Sequence, residues 1–227
     1  MKFADLSQLH QKFFSNLQSG ERSKSDWWAR ERLGLLKQHG FLKTKRFTFS
    51  GKTYFLANEL AHIALKNMRP LRGYVRALEE IDVRTFDHDL RVIDVRLALE
   101  QLGRATNWVS ERQLKSDLAL VSGLSRPYQP DAIYRNKFGE SMAFELEVTA
   151  KKKDRYADKI RKYVEVIREA ELRSKGFKGV LFVVCNDHIF GVLNDLTRRH
   201  DGKFKIEKFS DLVAEREIVT GPKQEVG

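Results

Sequence analysis

The stretch FELEVTAKKKDRY, residues 144–156, places two glutamates one residue apart in a strand-like run that is followed by three consecutive lysines. Successive side chains of a strand alternate between its two faces, so Glu145 and Glu147 are predicted to share one face. Two neighbouring carboxylates repel each other unless a positive charge lies close to both. A divalent metal ion commonly supplies that charge, and oxygen ligands favour Mg²⁺ or Mn²⁺. The stretch therefore predicts a metal site on a strand.

A third acid, Asp131, begins the preceding strand, and Gly139 marks the turn between the two strands. A hairpin across that turn would bring Asp131 beside the two glutamates. Lys151 stands where the strand runs into a helix and can stabilise charge on a scissile phosphate. Three carboxylates and a lysine indicate metal-assisted phosphodiester cleavage. The alternative is that Glu-x-Glu is the solvent face of an antiparallel sheet and that the lysines are an ordinary start of a helix.

The segments from residue 88 onward follow the order helix, three strands, helix, strand, helix, strand. HDLRVIDVRLALEQLG (88–103) has the apolar spacing of a helix. Asp89 near its start is predicted to cap that helix. The apolar run GVLFVVCN (179–186) predicts a strand buried in a sheet, and KFKIEKF (203–209) predicts the last strand.

The first 80 residues have a different pattern. WWARERLGLLKQHG (27–40) reads as a helix, FLKTKRFTFSGKTYFLA (41–57) as a hairpin about Ser50-Gly51, and NELAHIALKNM (58–68) as a further helix. This order predicts a winged helix-turn-helix, in which a helix enters the major groove and the wing contacts phosphates. The alternative is a small α/β subdomain whose basic residues form a solvated face. The predicted DNA contacts here are Arg30, Arg32, Lys43, Lys45, Arg46 and Lys52.

The amino-acid composition indicates which class of molecule the protein binds. The 227 residues carry a formal net charge of +11, with 42 basic and 31 acidic side chains. Such an excess favours a polyanion, because neutralised phosphates release counterions. Double-stranded DNA is the predicted partner, and an RNA-binding protein would account for the charge alone. No apolar run is long enough to cross a bilayer, so no membrane association and a cytoplasmic location are expected.

Other catalytic patterns are missing from the sequence. It has no glycine-rich phosphate loop, so use of a nucleotide is not expected. Its six histidines never form a close pair, which excludes a paired-histidine metal site. Arg155 and Tyr156, at the start of the helix after the acidic strand, are predicted to contact a phosphate backbone. Tyr163 reads as either a packing residue or a second site residue.

These motifs resemble a known family. The Asp131…Glu145-x-Glu147 arrangement is similar to that of the PD-(D/E)xK nucleases, and the run from Glu147 through Lys151 to Tyr156 resembles the replication-relaxation family. The likeness extends over roughly residues 25–185. That family includes MOBC-type plasmid mobilisation relaxases, in which a winged helix precedes a restriction-nuclease-like domain. The resemblance implies an α/β (α+β) fold of this kind, with an αβββαβ nuclease-like part.

The sequence departs from the nuclease pattern at one position. Glu147 stands where that superfamily most often has lysine, and Lys151 is the residue predicted to supply the charge. An acid on the first helix often joins such sites, and both Asp94 and Glu100 are candidates, with Glu100 preferred. The implied metal ligands are Asp131, Glu145 and Glu147.

Together these observations predict two domains, a winged helix-turn-helix over 1–80 and a nuclease-like domain over 81–215, followed by a tail over 216–227. The predicted function is metal-dependent nicking of one strand at a plasmid transfer origin, with an accessory mobilisation or coupling protein as a further partner. The alternative is a non-catalytic DNA-binding accessory or replication regulator whose nuclease-like domain is inactive.

Overall fold

A computed structural model describes residues 2–15, 25–68, 75–117, 129–173, 178–200 and 202–220. The fold mixes helices with two β-sheets, as the sequence predicts. The chain divides into two compact units, Met1–Leu97 and Ala98–Gly227. This division falls inside a long helix, whereas the sequence pattern predicts a domain boundary after residue 80. Each unit is described by itself.

The first unit is built from short elements in the order strand, helix, helix, strand, strand, helix, followed by the first part of a longer helix. They are β1 (Ala4–Asp5), α1 (Leu6–Phe13), α2 (Trp27–Gln38), β2 (Leu42–Arg46), β3 (Thr53–Ala57), α3 (Glu59–Met68) and α4 (Phe86–Gln101), which continues into the second unit.

The three strands form an antiparallel sheet in the order β1-β3-β2. The β2–β3 hairpin turns at Gly51, whose φ of 64° is a left-handed value that glycine adopts without steric cost. The hairpin predicted about Ser50-Gly51 is therefore present. One aromatic cluster forms the core, with Phe3 and Phe86 stacked at a centroid separation of 5.5 Å and Tyr54 beside them.

α4 begins two residues earlier than His88, so the prediction that Asp89 caps it is wrong. Asp89 lies inside the helix, is buried, and accepts hydrogen bonds from Lys2 Nζ at 2.7 Å and from Thr85 Oγ1 at 3.0 Å. Burial raises the pKa of Asp89, but hydrogen bonds from His88 and Lys2 together lower it by more, so the net shift of this pKa is downward. Asp89 thus ties α4 to the start of the chain.

The second unit follows the predicted order and adds two helices to it. Its elements after α4 are β4 (Thr106–Ser110), α5 (Glu111–Ser116), β5 (Ala132–Arg135), β6 (Ser141–Glu147), α6 (Lys153–Arg173), β7 (Gly179–Val184), α7 (Asp187–Thr197), β8 (Phe204–Lys208) and α8 (Phe209–Thr220). α5 stands where a turn was expected, and Ser110 and Gln113 form a capping box at its start. α8 occupies the first residues of the predicted tail, whose remainder, 221–227, lies outside the described residues.

The five strands of this unit form one sheet in the order β4-β5-β6-β7-β8. The β4–β5 and β5–β6 pairs are antiparallel, and the β6–β7 and β7–β8 pairs are parallel. β6 is therefore an inner strand, and every residue of its neighbour β7 is buried. The β5–β6 turn includes Gly139, whose φ is 78°.

α6 packs one face on this sheet. Tyr156, Ile160, Tyr163 and Ile167 recur at helical spacing and are all buried in a cluster with Val180, Phe182 and Val184 of β7. Because α6 follows β6 directly, this packing fixes the helix over the sheet beside the end of β6. The acidic pair stands at that end.

Candidate carboxylate and lysine site

Glu145 and Glu147 lie on the inner strand β6 and face the same way. Glu145 is buried, and Glu147 is only 1% exposed. The side chain of Lys159 contacts both, at 2.9 Å from Glu145 Oε2 and 2.7 Å from Glu147 Oε1. The two carboxylates are therefore on a covered face of the sheet, and the interpretation of Glu-x-Glu as a solvent face is wrong.

Asp131 precedes β5 and lies beside this pair. The register pairs Ala132 with Phe144, which brings Asp131 next to Glu145. Its Oδ2 accepts a hydrogen bond from the backbone N–H of Leu146 at 2.8 Å. The hairpin thus places the third acid as the sequence analysis expected, and its carboxylate also satisfies a backbone donor on β6.

Lys159 is the residue that the sequence analysis did not select. It lies on α6, eight residues after Lys151, and its side chain is 26% exposed. Its ammonium group bridges the two glutamates and supplies the positive charge that their proximity requires. The signal that could have found it is its spacing of four residues from Tyr163, which puts both on one side of the helix.

Tyr163 both packs and participates in the site. Its ring is buried and meets Phe182 edge-on at a centroid distance of 6.2 Å. Its hydroxyl donates a short hydrogen bond to Glu145 Oε1. Glu145 therefore has one oxygen bound by Tyr163 and the other by Lys159.

Lys151 binds the remaining oxygen of the pair, with Nζ 2.6 Å from Glu147 Oε2. It comes from the loop between β6 and α6, and its side chain is 39% exposed, so part of this side chain is accessible to solvent. The loop is held by Tyr156, whose hydroxyl accepts from Lys151 N at 3.1 Å and lies 3.5 Å from Thr149 O. Tyr156 is 1% exposed, so the prediction that it contacts DNA is wrong, and its role is to support the loop.

The electrostatics of the site follow from this burial. Burial and the nearby charge of Asp131 raise the pKa of Glu145 to about 7, against the lowering effect of Lys159 and Tyr163. Burial lowers the pKa of Lys159, but the two glutamates outweigh it and the net shift is upward. The pKa of Tyr163 is raised by burial and by Glu145. Lys159 is thus charged, while Glu145 can exchange a proton near neutral pH.

In this arrangement the chain's own donors occupy the position predicted for the metal. Each of the four glutamate oxygens accepts a hydrogen bond from Lys151, Lys159 or Tyr163. The two oxygens facing Lys159 lie 2.7 and 2.9 Å from its nitrogen, whereas Mg²⁺ holds oxygen at about 2.0–2.1 Å. Within the described ranges no group of three or more His, Cys, Asp or Glu side chains is placed to hold an ion. Binding of Mg²⁺ or Mn²⁺ remains a prediction.

Comparison with known proteins bears on the same residues. The sequence model of a family described as replication-relaxation matches residues 1–181, which include the acidic strand and all of the site. The chain belongs to the replication-relaxation family. Neither the curated proteins nor the solved structures provide a match. The family description indicates a role in replication or relaxation.

The other predicted site residues of this replication-relaxation protein are placed as follows. Glu100 is half-buried near the end of α4. Asp94 accepts from Gln8 Nε2 at 2.9 Å within the first unit. A role for either acid in the site stays a prediction. Arg155 is exposed on the first turn of α6.

The six basic residues predicted to contact DNA differ in their contacts. Three are engaged within the first unit: Arg30 with Asp26 at 2.7 Å, Lys43 with Glu79 O at 2.6 Å, and Lys52 with Asp5 at 2.8 Å, although Arg30 and Lys52 are exposed. Arg32, Lys45 and Arg46 are exposed and take part in none of these contacts. These three residues are thus the better candidates for phosphate contacts in this family member. Among the described helices, none is long and apolar enough to cross a membrane.

Proposed function

We propose that this chain nicks one strand of double-stranded DNA at a plasmid transfer origin, as a relaxase in conjugative mobilisation. The observation that carries the proposal is the convergence of Asp131, Glu145 and Glu147 with Lys151 and Lys159 at the end of β6. Carboxylates held beside partly accessible lysines suit attack on a phosphodiester, which needs a proton acceptor and a positive charge near the phosphate.

The roles of the chain's own groups follow from their exposure and proton affinity. Lys151, at the accessible edge, would contact the scissile phosphate and stabilise its developing charge. Glu145, with a pKa of about 7, has the proton affinity of a group that accepts a proton from an attacking water. Arg155 would hold the adjoining backbone. Dependence on Mg²⁺ or Mn²⁺ is part of the proposal.

The topology of the second unit supports this assignment. Two antiparallel pairs followed by two parallel pairs, with one acid just before the second strand and two near the end of the third, agree with the restriction-nuclease-like fold of the PD-(D/E)xK type that the motifs resemble. Lysine is contributed by the following loop and helix, in place of the lysine missing at position 147.

The first unit would position the chain on its DNA. Its β1-β3-β2 sheet, with two helices between β1 and the hairpin, supports the winged helix-turn-helix assignment. The exposed Lys45 and Arg46 on β2 of the hairpin would contact phosphates. An accessory mobilisation or coupling protein would act with the chain at the transfer origin.

One observation favours a second candidate function. Lys159 stands between the glutamates where a metal ion was expected, and a site neutralised in this way would also suit a non-catalytic protein. In that case the chain is a DNA-binding accessory or replication regulator, and its nuclease-like unit is inactive.

A plasmid nicking assay separates the two functions. Supercoiled plasmid carrying the native mobilisation region would be incubated with Mg²⁺ or Mn²⁺, or with EDTA, and wild type compared with Glu147→Gln. The control variant is Glu140→Gln, an exposed glutamate of the β5–β6 turn. We expect metal-dependent open circles from wild type and Glu140→Gln, and none from Glu147→Gln. Specific DNA binding without open circles from any protein would establish the accessory function instead.

A further inference from the structure

Most of the negative charge around the two glutamates is already balanced by the chain. Asp131, Glu145 and Glu147 contribute three carboxylates, and Lys151 and Lys159 contribute two ammonium groups within hydrogen-bonding distance of the glutamates. A divalent ion would bring two further positive charges into a buried cluster that has at most one uncompensated negative charge. Its entry therefore has to displace a cation that is already there.

The geometry identifies that cation. Lys159 contacts one oxygen of each glutamate, and Lys151 contacts only Glu147. Lys159 is also the less exposed of the two, with a side-chain exposure of 26% against 39%. A partly buried ammonium group between two carboxylates is retained because removing it leaves Glu145 without an ammonium partner and Glu147 with Lys151 alone, in a medium of low polarity.

We infer that the Lys159 ammonium is the resident cation of this site, so that the chain without DNA assembles its carboxylates with no divalent metal and admits one only when Lys159 leaves. The inference deepens the proposed function, on which it rests for the identity of the site, and assigns it a regulatory residue. Movement of the Lys159 side chain alone would then allow a divalent metal ion to enter a site that otherwise excludes it.

Binding of Mn²⁺ to the full chain in the absence of DNA tests this inference directly. The variant is Lys159→Met, which keeps an unbranched side chain that is one atom shorter and removes its charge. The matched control is Lys153→Met, an exposed lysine on the first turn of the same helix. The signal of unbound Mn²⁺ in electron paramagnetic resonance would be titrated against each protein, and thermal unfolding would be followed with and without Mn²⁺.

We expect Lys159→Met to bind Mn²⁺ at least ten-fold more tightly than wild type or Lys153→Met, about 1.4 kcal/mol. Its midpoint of thermal unfolding should be lower than that of wild type without metal and should rise when Mn²⁺ is added, because the ion replaces the lost charge. Equal Mn²⁺ affinity in all three proteins would overturn the inference.

A second comparison applies even if Lys159→Met fails to fold. Wild type and Glu147→Gln should bind Mn²⁺ equally weakly, since Lys159 keeps the ion out of the native site. A saturable Mn²⁺ site in wild type that Glu147→Gln removes would contradict the inference. Neither comparison measures nicking, so a failure of this inference does not bear on the proposed function. The plasmid assay tests that function separately. Conversely, absence of nicking does not alter the expected Mn²⁺ affinities.

Discussion

The hydroxyl of Tyr163 donates a hydrogen bond to Oε1 of Glu145, and this joins the middle of α6 to the inner strand β6. One turn earlier on the same helix, Lys159 binds the other oxygen of the same carboxylate at 2.9 Å. The orientation of Glu145 is thus determined by two residues of one helix face. Changes in these residues should alter both the stability of the second unit and the proton affinity of its central acid.

Replacing Tyr163 by phenylalanine should lower the free energy of unfolding by about 1–3 kcal/mol, because a buried carboxylate oxygen loses its donor. The same change should raise the pKa of Glu145 further. Urea unfolding measures the first effect. Tyr134→Phe is the control, since Tyr134 is a buried tyrosine of the same sheet that stacks on Trp108, with a centroid distance of 5.9 Å. Equal losses in the two variants would argue against a special role for the Tyr163 hydroxyl.

The raised pKa of Glu145 predicts a pH dependence of stability. The folded-state pKa of about 7 exceeds the ordinary value of 4.5, so the folded protein binds more protons than the unfolded chain between these pH values. This contribution to stability is complete below pH 4.5 and is lost as the pH rises through 7, a change of about 3 kcal/mol.

Glu145→Gln should abolish that component. The difference in free energy of unfolding between wild type and Glu145→Gln should therefore shift in favour of the variant as the pH rises from about 5 to 8, as measured by urea unfolding at fixed ionic strength. A difference that does not vary with pH would show that Glu145 titrates at its ordinary value.

Asp131 has a structural and a chemical role that two substitutions separate. Asp131→Asn retains an oxygen acceptor for the N–H of Leu146 and should be nearly as stable as wild type, whereas Asp131→Ala leaves that donor without its partner and should cost about 1–3 kcal/mol. Both should lose plasmid nicking, because each removes the carboxylate charge. Nicking by Asp131→Asn at the wild-type rate would exclude the charge from the reaction.

Lys52, which is engaged with an acid, should contribute less to DNA binding than Lys45 and Arg46. Lys45→Ala together with Arg46→Ala should weaken binding to all duplexes and reduce the slope of log K against log salt by about 2. Lys52→Ala should have a smaller effect, since Lys52 is paired with Asp5 at 2.8 Å. Fluorescence anisotropy over a series of salt concentrations gives these slopes, and identical slopes for all the proteins would contradict the assignment of the hairpin to phosphate contacts.

Two glycines of the second unit offer a test of the fold itself. A Cβ at Gly179, the first residue of β7, would lie 2.8 Å from the carbonyl oxygen of Lys203, so Gly179→Ala should destabilise the protein by about 1–3 kcal/mol. A Cβ at Gly191 in α7 would meet nothing within 4 Å, and Gly191→Ala should stabilise the helix by about 0.5–1 kcal/mol. Thermal unfolding distinguishes the two, and a stable Gly179→Ala variant would argue against the β7–β8 pairing.

Much of this fold is predictable from local patterns. Strand alternation puts Glu145 and Glu147 on one face, and the turn at Gly139 brings Asp131 to them, since both inferences need only short-range geometry. α5 was not predicted because six residues are too few to show helical periodicity. α8 was not predicted because its apolar residues do not form a single stripe: Leu212 is buried, while Ile218 is exposed.

Lys159 was not predicted for a different reason. Periodicity shows that Tyr156, Ile160 and Tyr163 face the core, but a lysine within a charged helix is by default placed in solvent. Its contact with both glutamates depends on how α6 docks on the sheet, which is a tertiary property. For the same reason Tyr156 was expected to contact DNA, although the docked helix buries it.

The support of one carboxylate by two residues of α6 fixes the number of residues between strand and helix. Each residue inserted or deleted within α6 before Lys159 would rotate the later part of the helix by about 100° and carry Lys159 and Tyr163 away from β6 together. Members of the family can therefore be grouped by one spacing: Glu-x-Glu, then eleven residues, Lys, three residues and Tyr. Chains that keep this spacing should share the lysine-bridged site, and chains that change it should hold their acids in another way.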